Sequence, residues 1–233
     1  MLKKWEDLPQ KMQIPEVKPY YDILDKKRSS LIIKRIFDIV VSTILLIILS
    51  PVIILLSIAI KVDSKGPIFY RQERYTQYGR KFRIHKFRSM CDEADKKGSL
   101  VTVENDSRVT RVGKVVRKCR LDEIAQLIDV FKGDMTFVGV RPEVKKYVDE
   151  YEKEWLATFL IPAGITNLTC IYFKDEDEML SGVENVEKEY VENILPIKMK
   201  WNLVGIKKFS FLGDIKLMFM TFLAICGKEY REI

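Results

Sequence analysis

The stretch from Ile36 to Ile60, IFDIVVSTILLIILSPVIILLSIAI, constrains this chain more than any other feature, because its 25 residues hold a single charge, Asp38. At about 1.5 Å per residue, one continuous helix over it would be about 37 Å long, enough to cross a hydrocarbon core of about 30 Å. Ser50-Pro51 sits near its middle. Proline removes an amide donor and clashes with the carbonyl four residues back, so a bend is expected there, with the Ser50 hydroxyl re-satisfying part of the freed backbone. Lys34 and Arg35 precede the run, and Lys61 and Lys65 follow it. The positive-inside rule is best met with both flanks cytoplasmic, which favours a re-entrant helix; a tilted, proline-kinked span is the alternative. Lys34 and Asp38 are spaced for an i, i+4 pair near the headgroups, which gives the lone acid a structural role.

The rest of the 233-residue chain is hydrophobic enough to bury a sizeable core, so full disorder is excluded. Forty Lys and Arg against 33 Asp and Glu leave a net charge of +7, which favours anionic partners without choosing among nucleic acid, anionic lipid and phosphorylated substrates. Cys91, Cys119, Cys170 and Cys226 lie far apart and His85 is the one histidine, so no zinc set is expected. Scattered thiols fit a reducing compartment. Residues 1–30 are polar and charged, with three prolines; they read as an irregular extension resting on the surface, without a cleavable secretion signal.

The expected organisation is that extension, a membrane helix over 31–62, a catalytic domain over 63–200 and a C-terminal interfacial amphipathic helix over 201–233. Around Gly79, IFYRQERYTQYGRKFRIHKF has two aromatic and β-branched stretches that predict a hairpin. DEADKKG reads as a solvated linker. From Val109, apolar residues at Leu121, Ile124, Leu127, Ile128 and Phe131 predict a helix ending at Lys132-Gly133, and a second helix is expected over about Glu143 to Phe159. LVGIKKFSFLGDIKLMFMTFLAIC combines dense apolar residues with three lysines and reads as interfacial, the alternative being an ordinary core helix.

Carboxylate pairs occur at Asp92-Glu93, at Asp122-Glu123 and through Lys174–Glu178, so an Asp-Glu dipeptide alone means little. The surroundings of Asp122-Glu123 are distinctive. Arg108, Arg111, Lys114, Arg117, Lys118 and Arg120 run into it, and Arg141 follows the tight KGDMTFVGVRPE segment. Cations beside a carboxylate keep it ionised and can neutralise a diphosphate during attack on phosphorus, so the layout suits phosphoryl transfer. A solvated or membrane-facing basic helix is the alternative for the run itself. In KFRSM, strand alternation would point Lys86 and Arg88 the same way.

The order RIFD, the apolar run with Ser-Pro, GPIFYRQER, KFRSM and RVTRVGKVVRKCRLDEIAQLIDVFKGDMTFVGVRP resembles the bacterial sugar transferase family of monotopic polyprenyl-phosphate phosphoglycosyl transferases. The resemblance covers about residues 31–170 and continues more weakly through SFLGDIKLMF. It implies a mainly α fold with a small β-hairpin, a re-entrant helix broken at Ser-Pro, and interfacial helices on the cytoplasmic face of the bacterial inner membrane. It also implies transfer of a sugar-1-phosphate from a UDP-sugar to polyprenyl (undecaprenyl) phosphate, with release of UMP; the basic charge alone suggests a nucleic-acid binder, and with no recognition helix or nucleic-acid motif in the sequence no nucleic-acid partner is expected.

Carried over, Asp122 would be the nucleophile and Glu123 its acidic neighbour, with Mg²⁺ at the same two carboxylates. Arg117, Arg141 and Pro142 would contact phosphates or nucleotide, and Lys86 and Arg88 would serve as further substrate-binding cations. This sequence departs from the family pattern at Arg120, Ala125 and Val140. It departs again in the loop usually written Arg-Pro-Gly-Ile-Thr-Gly, here Ile161-Pro162-Ala163-Gly164-Ile165-Thr166-Asn167, and at Asn202, where an aspartate is usual. A catalytically silent nucleotide-sugar binding protein of the same fold is the competing expectation.

Overall fold

The computed structural model describes residues 2–92, 94, 106–173, 185–228 and 230. Of the expected linker at 92–98, only Asp92 and Ala94 fall within these residues, and the acidic stretch 174–178 lies outside them.

Helices α1 (Lys18–Asp25), α2 (Arg28–Ile48) and α3 (Ser50–Asp63) come first. The long apolar run is divided between α2 and α3, which meet at a 61° bend; no single helix among the described residues is long and apolar enough to cross a membrane. The bend has the expected local cause. Pro51 lies in the first turn of α3, and Ser50 Oγ donates to the Ile47 carbonyl at 2.8 Å.

Helix α2 is patterned inside out. Ile36, Ile44, Ile47 and Ile48 face outward, while Lys34, Asp38 and Ser42 are buried. Asp38 does not serve the local lysine pair expected of it. It accepts from Thr136 Oγ1 at 2.7 Å and from the Phe137 amide at 3.2 Å, while Lys34 pairs with Asp214 at 2.6 Å. Long-range partners displaced the i, i+4 contact because both charges sit on the face of α2 that meets the domain.

The hairpin forms as expected, β2 (Glu73–Thr76) pairing antiparallel with β3 (Arg80–Arg83), Glu73 opposite Arg83. Flanking it, β1 (Phe69–Tyr70) pairs with β4 (Lys86–Phe87). A third pair was not foreseen: β5 (Met135–Val138) runs parallel to β6 (Ala163–Thr166), Met135 opposite Ala163. Its strands are short and β5 is buried throughout, so they carry no alternation to read.

Both long central helices expected from periodicity are broken. The first is helix α4 (Arg111–Lys118), a 3₁₀ segment Leu121–Gln126 and helix α5 (Leu127–Lys132), with Arg120 reversing the chain at φ 54°. The second divides into α6 (Lys145–Val148) and a 3₁₀ segment Glu154–Leu160. Periodicity reports which side chains face inward; it does not show where the backbone leaves the helix between them.

Helices α7 (Leu168–Tyr172), α8 (Val186–Glu189), α9 (Leu195–Lys207) and α10 (Phe211–Ile225) complete the chain, a π-turn at Tyr190–Ile194 joining α8 to α9. The C-terminal apolar stretch therefore divides in two. Leu203 and Ile206 of α9 are core residues, and only α10 carries an outward apolar face, with Leu212, Phe219, Phe222 and Ile225 exposed.

The opening residues are not a loose surface extension. Leu2, Leu8, Met12, Val17, Tyr20, Tyr21 and Leu24 are buried in the largest core cluster beside Leu195, Met199 and Leu203 of α9. Composition gave no sign of this, because the buried residues are spread among lysines and prolines. A second cluster joins Phe37, Val41, Leu45 and Leu49 to β5, and a third joins Ile53 and Ile60 of α3 to Val116 of α4.

Candidate active site

The site is built on two sharp changes of chain direction. Helix α4 is capped by Thr110, whose hydroxyl accepts from the Gly113 amide at 3.0 Å. Gly113 packs so closely on Ser89 that a Cβ would lie 1.9 Å from its carbonyl oxygen. Arg117 and Lys118 occupy the last turn, where the helix dipole favours cations. Arg120 then reverses the chain, and the following 3₁₀ turn carries Asp122 and Glu123.

The second change comes after β5. Gly139 and Gly164 meet back to back; a Cβ on Gly164 would lie 2.1 Å from the Gly139 nitrogen. The Gly164 amide donates to the Val140 carbonyl at 2.8 Å, which turns Arg141 toward the acidic pair.

Lys86, Glu123 and Arg141 form one cluster. Lys86 Nζ reaches Glu123 Oε1 at 3.2 Å, Arg141 Nη1 reaches Oε2 at 3.3 Å, and Arg141 Nη2 donates to Oε1. Arg141 Nη1 also reaches the Ile165 carbonyl at 3.3 Å.

Electrostatics separate the two neighbouring acids. Burial alone would raise Glu123, but Arg141 and Lys86 outweigh it and hold this carboxyl well below the usual carboxylate range. Asp122 is pushed up, first by burial and then by the charge of Glu123, against the lowering effect of Lys86 and Arg117. Burial and the nearby arginines lower Lys86, while Glu123 raises Arg141 well above its usual value. Two acids driven in opposite directions in one cluster make it a candidate functional centre on physical grounds.

Beside this cluster lies a cavity of about 500 Å³. Glu123, Arg141, Lys118 and Arg120 line it together with Ile124, Leu127 and Phe137, Cys170 and Ile171 of α7, and Thr221, Ala224 and Ile225 of α10. Thr166 and Thr221, also in the lining, share a 2.7 Å hydrogen bond.

Of the residues singled out from sequence, Asp122, Glu123, Lys86 and Arg141 come together, with Arg117 near enough to act on Asp122. Arg88 does not join them. Its guanidinium is buried against the end of α3, donating to the carbonyls of Lys65 at 2.6 Å and Ser64 at 2.7 Å. The strand holding Lys86 ends at Phe87, so the alternation expected to align the two cations stops before Arg88. Pro142 is buried, its carbonyl accepting from Arg74 at 3.0 Å.

Sequence reasoning missed the bracing behind Arg141. Glu143 accepts from Tyr190 Oη at 2.8 Å, and Lys198 Nζ reaches that same oxygen at 3.1 Å. The acid next to Arg141-Pro142 was the available signal. It also missed Asp129, fully buried and accepting from the His85 amide at 2.8 Å, and bonded to His85 Nδ1 at 2.6 Å.

The profile of the bacterial sugar transferase family matches residues 29–228. The chain belongs to that family. It is 34% identical over 195 residues to a UDP-N-acetylgalactosamine-undecaprenyl-phosphate N-acetylgalactosaminephosphotransferase of Aeromonas hydrophila, covering 81% of this chain and 42% of the relative. It is 33% identical over 196 residues to a UDP-glucose:undecaprenyl-phosphate glucose-1-phosphate transferase of Klebsiella pneumoniae, covering 82% and 40%. An uncharacterized sugar transferase of Bacillus subtilis, EpsL, is 35% identical over 191 residues, covering 82% and 86%. The chain thus spans about two-fifths of the length of the first two relatives.

Proposed function

We propose that this protein transfers a sugar-1-phosphate from a UDP-sugar to polyprenyl phosphate through an aspartyl intermediate. The observation that carries the reading is the Asp122–Glu123 pair, with Glu123 clamped by Arg141 and Lys86 at the edge of a cavity of about 500 Å³. The reactions printed for the relatives from Aeromonas and Klebsiella support the substrate class.

In the first step an Asp122 carboxylate oxygen attacks the β-phosphorus. The Asp122 O–P bond forms, the bond from that phosphorus to the bridging oxygen breaks, and UMP leaves with the electron pair. In the second step an oxygen of the polyprenyl phosphate attacks the same phosphorus, the Asp122 O–P bond breaks, and the free carboxylate returns with a lipid diphosphate sugar as product. An acyl phosphate is reactive enough for the weakly nucleophilic lipid phosphate to displace it. Glu123 remains ionised throughout and holds Arg141 and Lys86 where charge builds up on the phosphoryl oxygens.

The donor set suits Mg²⁺, which takes oxygen ligands and is commonly held by one or two carboxylates together with substrate phosphates. Asp122 and Glu123 would hold it, with Asp122 the less committed of the two because both oxygens of Glu123 already face cations. Bound there, the ion would supply charge neutralisation at the diphosphate.

The anchor is read as re-entrant in the inner leaflet, with the catalytic domain cytoplasmic. Leu45, Leu46 and Leu49 pack on the same body as Phe37, and Ile53 and Leu56 on the same body as Ile60, so both arms and the apex lie along one surface of the domain. A crossing helix would carry the apex away from that surface. This draping would place the cavity beside Glu123 at the depth of a lipid phosphate.

The test is nucleotide release by the protein in lipid with Mg²⁺, polyprenyl phosphate and a panel of UDP-sugars. UMP from wild type, and none from Asp122→Asn, is the expected result. UDP would mean ordinary glycosyl transfer and overturn the mechanism; silence across the panel would favour the non-catalytic binding protein.

A further inference from the structure

Lys86 stands on a very short strand. Between β3 and β4 the chain passes through Ile84 and His85, which belong to neither, and β4 meets β1 over two residue pairs only, Phe69 with Phe87 and Tyr70 with Lys86. A buried carboxylate supplies the hold that a longer ladder would give. Asp129 of α5 accepts from the His85 amide through Oδ2 at 2.8 Å and is bonded to His85 Nδ1 through Oδ1 at 2.6 Å. The amide can only donate, and a proton between Nδ1 and Oδ1 makes the second bond, so both oxygens of Asp129 are committed to one residue. The His85 ring also meets Phe69 edge-on, with centroids 5.9 Å apart.

Glu123, Gln126 and Asp129 recur every three residues from the 3₁₀ segment into α5, a spacing that sets side chains on one face. The outer two meet consecutive residues of the neighbouring chain: Glu123 meets Lys86 at 3.2 Å, and Asp129 meets His85. Gln126 lies buried between them, with neither end of its amide hydrogen-bonded among the described residues. Asp129 is itself fixed, because its carbonyl accepts from the Gly133 and Asp134 amides at 3.0 Å where α5 ends. The segment that carries Asp122 and Glu123 is therefore riveted to the segment that carries Lys86 one residue away from the Lys86–Glu123 contact.

We propose that Asp129 and His85 are a positioning pair for the transfer step: by clamping the residue before Lys86 they hold its ammonium against Glu123. Neither side chain is placed on a reacting atom. The assignment rests on the transfer reading above for the work that Lys86 does, and on the two hydrogen bonds for the clamp.

Kinetics of the full chain in lipid test the role. His85→Phe keeps a ring beside Phe69 and loses the nitrogen; a misplacement of about 1 Å can cost on the order of 10²-fold, and kcat for UMP release per folded molecule should fall about tenfold or more. His85→Asn returns a nitrogen donor at the position of Nδ1 and should bring kcat back to within about threefold of wild type. Combined with Lys86→Met, His85→Phe should add no more than about a twofold loss, since the pair acts through that lysine. Losses that multiply in the double variant, an unchanged kcat in His85→Phe, or no recovery in His85→Asn would overturn the role.

A second measurement needs no turnover. Amide hydrogen exchange of the peptide over 84–88 should quicken about fivefold or more in His85→Phe and stay near wild type in His85→Asn, while peptides of β5 and β6 keep their rates. Unchanged exchange over 84–88, or an equal rise throughout the chain, would overturn the clamp. A wild type that releases no UMP would remove the transfer reading, and exchange alone would then decide whether the clamp exists.

Discussion

Asn167 Nδ2 donates to Asn202 Oδ1 at 2.9 Å, so two positions at which this chain departs from the pattern of its family are a single contact. Asn167 also caps α7, its Oδ1 accepting from the Cys170 amide at 2.8 Å. The pair therefore positions the helix that supplies Cys170 and Ile171 to the cavity wall. Asn167→Ala removes the cap and the cross-link together. Its expected cost is about 1–3 kcal/mol, measured by denaturant unfolding in detergent.

Arg141 grips Glu123 through both terminal nitrogens, a geometry that lysine cannot reproduce. Arg141→Lys keeps the charge and loses the fork. The expected fall in kcat/KM is about 10²-fold or more, the scale of removing one organised donor from a phosphoryl or oxyanion site. A near-normal kcat/KM for Arg141→Lys in the UMP-release assay would mean that only its charge matters.

The acid limb of the rate profile should belong to Asp122. Burial raises this group, and in the proposed mechanism it must lose its proton to attack, so activity should rise with pH through its ionisation and fall as pH drops. Lys86 works against that rise. Lys86→Met should therefore move the acid limb to higher pH, whereas loss of a merely structural lysine would lower the rate without moving the limb. A kcat/KM profile from pH 4 to 9 distinguishes the two.

Asp38 joins α2 to β5 through two donors. Thr136→Val removes one of them and leaves a buried carboxylate under-satisfied. A loss of about 1–3 kcal/mol is expected in detergent unfolding, with the UMP-release rate per folded molecule little changed.

The proposed re-entry makes a topological prediction. With native cysteines replaced, single cysteines introduced by Lys4→Cys and Lys65→Cys flank the anchor at exposed positions. Both should resist a membrane-impermeant maleimide in intact cells and react after permeabilisation. Reaction of one alone before permeabilisation would establish a crossing helix.

Several features that depend on neighbours along the chain were legible in advance. The Ser50-Pro51 bend, the hairpin at Gly79 and the acidic dyad are local, and each was readable from residues within one turn or one strand pair. The partners were not. Asp38 was assigned to Lys34, four residues away, although its donors come from Thr136 and Phe137. Arg88 resembled Lys86 in sequence, yet it is spent on carbonyls at the end of α3. The wall formed by α7 and α10 lies far along the chain from Glu123, and no periodicity announces such a meeting.

The packing of the opening residues also sets an order of events during synthesis. Tyr20 and Leu24 are buried against a cluster that includes Leu195, Met199 and Leu203, and Lys27 donates to the Phe209 carbonyl. At about 5–20 residues per second, those partners leave the ribosome on the order of 10 to 30 seconds later. In that interval Leu8, Met12, Val17 and Leu24 wait without a core. The largest cluster can therefore close only once most of the polypeptide has been made, and until then its first contributors are exposed to chaperones and proteases.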